Sequence, residues 1–544
     1  MYKGLCVFLL TLVAEINGGL FELQYGMING TVGKSKNGRL YQEFYAIPYA
    51  EPPIGELRFK APVAVKPWSG VKNASYPPPF CVQPLLSNEE TKVIGQEDCL
   101  YLNVFVPNGL FNSTGKAPVM VAIHGGGYRY GYGIGYHPSF LMDSDIILVT
   151  LNFRMGALGF FGLNNDQISG NFGMKDQVLA LQWVRKNIAR FGGDPNQVTL
   201  MGQSTGAACV HLHMFSPLSK GLFHRGIMQS GTAFSTWSHF ATGNGELMSR
   251  AFLIITGCQR ENATKILKCL QRLPIEDFIY LENKLRIAYD EPRILFKPMI
   301  ETNVKDGPFL TKRPSKNTYL TNVPWITGIN SGEGGVKIIK YLRHNDDSLT
   351  KIVNKDLYRF LPLINGYVYT ADPEDMDNIT QQVSDFYFGN EDIGSDTATK
   401  FVDMITDSTF LLPTVKAVQS TRDRKYVYLF DHKRADSLPR LAGLTMDLGV
   451  SHSDELALLF GNANSPGNWT SQDVKVSEAM LSFWSNFIST GDPNGDSKMK
   501  TWKPVETDDV EYLLIDSESI TMEKNLLKDR FDFWKNLPTG WKYD

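Results

Sequence analysis

From about residue 118 onward, short runs of consecutive apolar residues alternate with stretches whose apolar residues recur every three or four positions. Val119 to Ile123, Ile146 to Leu151, Val198 to Met201, Ile227 to Met228, Trp325 to Ile329 and Val427 to Phe430 are runs of the first kind, as expected of interior strands buried on both faces. Between two of them, Val178, Leu181, Val184 and Ile188 fall at helical spacing, so a helix is expected over Lys175 to Phe191, stopped by Gly192-Gly193 before a turn at Asp194-Pro195. Strands alternating with helices predict the α/β class, a large, mostly parallel twisted sheet with helices on both faces. Before residue 110, Glu51-Pro52-Pro53 and Tyr76-Pro77-Pro78-Pro79 punctuate what reads as an antiparallel lead-in. Residues 330 to 400 read as a helical insertion, and with no internal repeat or low-complexity linker, 20–544 reads as a single domain.

Composition narrows the class. The 544 residues, 43% of them hydrophobic, suffice to bury a core without help from a partner. Lys+Arg 54 against Asp+Glu 57 leaves a net charge of −3, with no positive footprint for nucleic acid. Lys3 followed by apolar Leu5 to Ala14 fits a secretory signal over residues 1–19, and this run is about half of the roughly 20 residues that cross a bilayer. Asn29, Asn73, Asn112, Asn262, Asn378 and Asn468 are N-x-S/T acceptors, as in a glycosylated exported protein. The last residues, Trp541-Lys542-Tyr543-Asp544, form neither an ER-retention tetrapeptide nor an anchor tail, so no membrane anchor and release outside the cell are expected. Cys81 and Cys99 enclose 17 residues and Cys258 and Cys269 enclose ten, loops that bridges could close in an oxidising compartment, while Cys209 in an apolar helical stretch reads as a buried thiol.

The chemistry concentrates at strand ends. Gly202-Gln203-Ser204-Thr205-Gly206 follows a strand and precedes the helical run Ala207 to Phe215, the context in which a sharp turn lifts a serine hydroxyl above a sheet; the two glycines are expected to permit that turn. His124-Gly125-Gly126-Gly127 also follows a strand, and lacks both the Lys-Ser/Thr of a P-loop and the spacing of a dinucleotide site, so its N–H groups are expected to hold an oxyanion. A serine needs a base. With the order serine, acid, histidine, His452 in Gly449-Val450-Ser451-His452-Ser453-Asp454-Glu455 is favoured, whereas His211 and His213, two apart on a helix, share no face as metal ligands. For the acid, Glu333 follows the strand Trp325 to Ile329, with Asp403 and Asp407 left open as alternatives.

These residues resemble the type-B carboxylesterases, which include cholinesterases, juvenile hormone esterases and secreted insect esterases. The likeness runs through Tyr49-Ala50-Glu51-Pro52-Pro53, Leu57-Arg58-Phe59, Glu97-Asp98-Cys99-Leu100-Tyr101-Leu102-Asn103-Val104, the His124 loop, Gly170-Asn171-Phe172-Gly173-Met174-Lys175-Asp176-Gln177, Phe191-Gly192-Gly193-Asp194-Pro195, Gln229-Ser230-Gly231 and Thr490-Gly491-Asp492-Pro493-Asn494. It implies an α/β-hydrolase fold with Ser204 as nucleophile, Glu333 as acid, His452 as base, and Gly126, Gly127 and Thr205 as oxyanion donors. It also implies disulfides Cys81–Cys99 and Cys258–Cys269, support of the triad by Ser230 and Glu455, and structural ion pairs Arg58 with Glu97 and Arg154 with Asp176. Two positions depart from the family's pattern. Thr205 stands for the usual Ala, which is expected to slow turnover, and Gln203 for the usual Glu, a neutral group shared with juvenile hormone esterases. No Trp lies between Cys81 and Cys99, where cholinesterases hold choline, so acetylcholine is not expected as substrate.

The expected function is hydrolysis of neutral, apolar carboxylic esters through an acyl-enzyme, with a small-molecule ester as partner and no metal or organic cofactor. Rival readings are a juvenile hormone esterase proper, an odorant-degrading esterase and, from a different class, a non-catalytic adhesion protein resembling the neuroligins. Oligomeric state is not legible in the chain.

Overall fold

Along the strand Ala117–Ile123, Val119, Val121 and Ile123 enter one hydrophobic core, while Met120 and Ala122 enter another on the opposite face. Alternation of side chains across a strand makes this unavoidable, so a continuous apolar run marks a strand covered on both sides. The structure, a computed structural model, describes residues 19–85, 92–110, 116–287, 291–305, 307–342, 346–461, 469–495 and 502–540. The expected leader, apart from residue 19, and the acceptors Asn112 and Asn468 lie outside the described residues.

Eleven strands form the main sheet: β1 (Thr31–Lys34), β2 (Leu40–Pro48), β3 (Tyr101–Pro107), β4 (Ala117–Ile123), β5 (Ile147–Leu151), β6 (Gly193–Gln203), β7 (Arg225–Gln229), β8 (Trp325–Asn330), β9 (Lys425–Phe430), β10 (Tyr512–Ile515) and β11 (Ile520–Glu523). Their spatial order is β11-β10-β9-β8-β7-β6-β4-β5-β3-β2-β1. Pairing is parallel from β10 across to β5 and antiparallel at both margins, so the antiparallel lead-in occupies one edge of a mostly parallel sheet. The exchange of β4 and β5 in the order leaves a crevice beyond the carboxyl ends of the central strands, where open α/β sheets bind ligands.

Helix α1 (Phe172–Asn187) packs Val178, Leu181 and Val184 into the first core, as does α2 (Thr205–Met214) with Val210, Leu212 and Met214. Helix α3 (Ser471–Thr490) covers the other face with Val476, Met480, Trp484 and Phe487, spaced by about one helical turn. The first helix thus starts three residues before the expected Lys175, and its end tightens into a 3₁₀ turn, Ile188–Phe191, capped by Gly192 at φ 85°.

Three features depart from the apolar pattern or are missing from it. Asp194-Pro195 turns inside the span of β6 and does not end it: residues 194 to 197 intervene between the β4 pairings of Gly193 and Val198, and there the Asp194 carboxylate accepts the Asn196 N–H at 2.8 Å, a bulge that accommodates the proline. The helical insertion does not stop at 400, because helices Gly335–Leu342, Ser348–Lys355, Leu357–Asn365, Met376–Tyr387 and Ala398–Thr406 are followed by Leu412–Gln419. Strands β10 and β11, four residues each and only partly buried, carry no long apolar run to announce them. Among the described residues no helix is long and apolar enough to cross a membrane.

Candidate active site

Strand β6 ends at Gln203 and α2 begins at Thr205, which leaves one residue to reverse the chain. Ser204 does so at φ 59° and ψ −127°, a conformation that costs a non-glycine residue on the order of 1–3 kcal/mol. The surroundings hold it there: its N–H donates to the Gln229 carbonyl at 2.8 Å, and its carbonyl accepts from the Ala208 N–H at 3.0 Å. Contrary to expectation, the flanking glycines do not supply the turn, since neither has a positive φ. They supply room. A Cβ on Gly202 would lie 2.3 Å from the Gly206 backbone, and one on Gly206 would lie 2.1 Å from the Ile123 carbonyl oxygen. Glycine here lets strand, helix and glycine loop approach to contact distance.

That loop leaves β4 at His124. Gly126 takes φ 109° and Gly127 φ 65°, both in the region that favours glycine. The Gly127 N–H donates to the Thr205 hydroxyl oxygen at 3.1 Å, and the Tyr128 N–H approaches the same oxygen at 3.4 Å. His124 stacks on Phe153 with ring centres 4.4 Å apart, and burial pulls its imidazole down to about 4.

His452 and Glu333 come from loops beyond β9 and β8. The His452 Nδ1–H donates to Glu333 Oε2 at 2.5 Å; the histidine is 8% exposed and the glutamate 0%. The other Glu333 oxygen accepts the Asn330 N–H at 2.8 Å, which closes the acid's loop on the strand that delivers it. Gly332 and Ser451 pair as a parallel bridge, with the Gly332 N–H donating to Val450 at 2.9 Å, so backbone bonds join the two loops directly. At the ring's other nitrogen, the Gln203 amide donates to Nε2 at 3.1 Å, which keeps that nitrogen an acceptor and the proton on Nδ1. Among the described residues the Ser204 hydroxyl makes no hydrogen bond to the ring, although Ser204, His452 and Glu333 line one cavity of about 630 Å³. Such bonds tighten around bound substrate.

Behind the acid, Glu455 accepts from Asn330 Nδ2 at 2.7 Å and Gln229 Nε2 at 3.1 Å, and Trp484 Nε1 donates to Gln229 at 3.0 Å. Burial, then the neighbouring Glu333, pushes the Glu455 carboxyl up to about 7. Ser230, at φ 55°, is fully buried, but among the described residues its hydroxyl meets no hydrogen-bond partner, so it does not bond Ser204, His452 or Glu333 directly. Asp403 and Asp407 point elsewhere, both to Arg530, and Tyr387 donates to Asp407. His211 and His213 are buried in α2 with partners of their own, Tyr319 for the first and Ser219 with Gln177 for the second.

The cavity wall was not legible in the sequence. It is assembled from the glycine loop, Trp237, the segment Glu291 to Ile294 with Lys297, and helical residues such as Leu363, Ile364 and Phe410. Two lysines line it. Lys337 pairs with Glu291 at 3.0 Å, and Lys297 is 7% exposed. The one sequence signal for Lys297 is a lysine amid the apolar residues of Ile294-Leu295-Phe296-Lys297-Pro298-Met299-Ile300.

Away from the site, Cys81–Cys99 and Cys258–Cys269 are bonded with Cα separations of 5.0 and 5.6 Å, and Cys209 is a free buried thiol. Arg58 pairs with Glu97 and Arg154 with Asp176, each at 2.6 Å, and none of the four lines the cavity. Asn29, Asn73, Asn262 and Asn378 are exposed, although Asn262 also caps the helix Ala263–Leu270.

A model of the carboxylesterase family matches residues 18–534. A carboxylic ester hydrolase from Bombus ignitus is 33% identical over 94% of this chain and 93% of its own length. A juvenile hormone esterase from Tribolium castaneum is 32% identical, covering 95% of this chain and 93% of that protein. Among solved structures, juvenile hormone esterase from Manduca sexta with OTFP covalently attached superposes with a TM-score of 0.84 at 27% identity, over 95% of this chain and 99% of that one.

Proposed function

Because this chain belongs to the carboxylesterase family and is a carboxylic ester hydrolase, we propose that Ser204 is its nucleophile, His452 its general base and Glu333 the acid that orients the base. The observation that carries this reading is the 2.5 Å bond from His452 Nδ1 to Glu333, with His452 lining the same cavity as Ser204 and the glycine loop. In the proposed cycle the ester displaces the Gln203 amide from Nε2, and the Ser204 hydroxyl gives its proton to that nitrogen as its oxygen attacks the carbonyl carbon. The negative oxygen rests on the N–H groups of Gly126, Gly127 and Thr205, at the positive end of α2. His452 then protonates the leaving alcohol. Water attacks the acyl-enzyme under the same base, which releases the acid and regenerates Ser204.

Aliphatic and aromatic walls such as Ile294, Leu363, Ile364 and Phe410 support neutral, apolar esters as substrates. The neutral Gln203 and the cavity lysines disfavour cationic ones. A juvenile hormone esterase proper is a second reading, favoured by Gln203 and by the likeness to two such enzymes. The leader-like start, the two disulfides and four exposed acceptors support export and glycosylation.

An ester panel with wild type beside Ser204→Ala tests the assignment. Loss of at least about 10⁴-fold in kcat for every substrate is expected, with an organophosphate adduct on Ser204 in wild type. Hydrolysis that survives the substitution would remove Ser204 from the mechanism.

A further inference from the structure

The cavity contains a cation that the proposed chemistry does not use. Lys297 Nζ donates to the Thr236 carbonyl at 2.9 Å and lies 5.2 Å from the centre of the Phe240 ring and 5.8 Å from that of Tyr369. An ammonium carries three donors, and one carbonyl satisfies one of them. The other cations of the wall differ. Lys337 has Glu291 at 3.0 Å and the Ile364 carbonyl at 2.8 Å, while Arg293 donates to the Tyr130 hydroxyl at 2.8 Å. Among the described residues no carboxylate stands within ion-pair distance of Lys297. A charge withdrawn from water is costly unless an opposite charge and further hydrogen bonds meet it, and aromatic faces compensate only in part.

We propose that Lys297 forms the polar end of the substrate cavity and receives a free carboxylate at the far end of an ester's chain, so that half-esters of dicarboxylic acids are a preferred substrate class. The inference rests on the esterase reading of the same cavity and departs from its neutral-substrate part at one end: the apolar walls take the chain, and the lysine takes its charged end. A single ammonium matches a single negative charge, and the two N–H groups left over by Thr236 are available to the two oxygens of one carboxylate. Burial alone pulls the amine down to about 7, and an anion beside it restores the charged form.

The test uses 4-nitrophenyl half-esters of dicarboxylic acids from glutaric to sebacic, each beside its amide-ended isostere and the plain alkanoate of equal length. At one chain length, kcat/KM for the carboxylate-ended ester is expected to exceed that of the amide-ended one by at least about tenfold in wild type. Lys297→Met is expected to lower this ratio by about 30-fold or more, and Lys297→Arg to keep part of it. A ratio equal in wild type and Lys297→Met at every length overturns the proposal. Failure of wild type to cleave even the plain alkanoates above the Ser204→Ala background instead overturns the esterase assignment. If Lys297→Met does not fold, wild type alone decides: dicarboxylic monoamides should inhibit alkanoate hydrolysis at least about tenfold more tightly than the diamides, and equal inhibition overturns the proposal.

Discussion

The Thr205 hydroxyl accepts the Gly127 N–H at 3.1 Å, so a side chain of the elbow occupies a backbone donor that the proposed mechanism assigns to the oxyanion. A substrate oxygen must displace that hydroxyl, and a typical hydrogen bond is worth about 1 kcal/mol net. Thr205→Ala removes the competitor and keeps the Thr205-position N–H. We expect kcat/KM for a neutral 4-nitrophenyl ester to rise about fivefold, with folding stability lower by about 1 kcal/mol, both read on the same preparation. A fall in kcat/KM would mean that the hydroxyl itself assists the oxyanion.

Gln203 meets His452 Nε2 at 3.1 Å with a neutral amide. A carboxylate there would favour the protonated ring, which cannot accept the serine proton. Gln203→Glu should therefore shift the acid limb of the kcat/KM profile upward by about one pH unit. An unmoved or lowered limb would show that the amide does not act on the ring.

Lys297 gives a stability signature separate from its ligand. Its folded value of about 7 lies below the value of roughly 10.4 for an exposed lysine. Below pH 7 folded and unfolded chains carry the same proton, and the folded protein bears the full cost of the buried charge. Between pH 7 and about 10 the unfolded state binds more protons, so this cost is relieved as pH rises. Lys297→Met should be more stable than wild type by about 1–4 kcal/mol at pH 6, with the gap narrowing by pH 9 in urea denaturation. A gap that widens with pH would reverse this account.

Cys258 and Cys269 close a short loop that carries the helix Ala263–Leu270. Replacing both with Ala should cost about 3 kcal/mol through added freedom of the unfolded chain, with turnover at 25 °C little changed because neither residue lines the cavity. Calorimetry beside an activity assay separates the two effects.

How much of this was legible follows from where each signal resides. Val119 to Ile123 announces itself because burial on both faces leaves no room for a polar residue. The pairing of His452 with Glu333 was approachable through chain order and strand ends, which topology fixes. The reason for Gly202 and Gly206 was misread, because a missing Cβ looks the same in sequence whether it frees a dihedral or clears a contact. Lys297, Thr236 and Tyr369 stayed invisible as a group, since they meet only when three separated segments fold over the sheet.

The Gly332–Ser451 bridge ties the loop of Glu333 to the loop of His452 by backbone, while Ser204 sits on the elbow between β6 and α2. Gln203 alone among the described side chains at this junction reaches from the elbow to the imidazole, so in the proposed mechanism a substrate must part that amide from the ring before the hydroxyl can take its place.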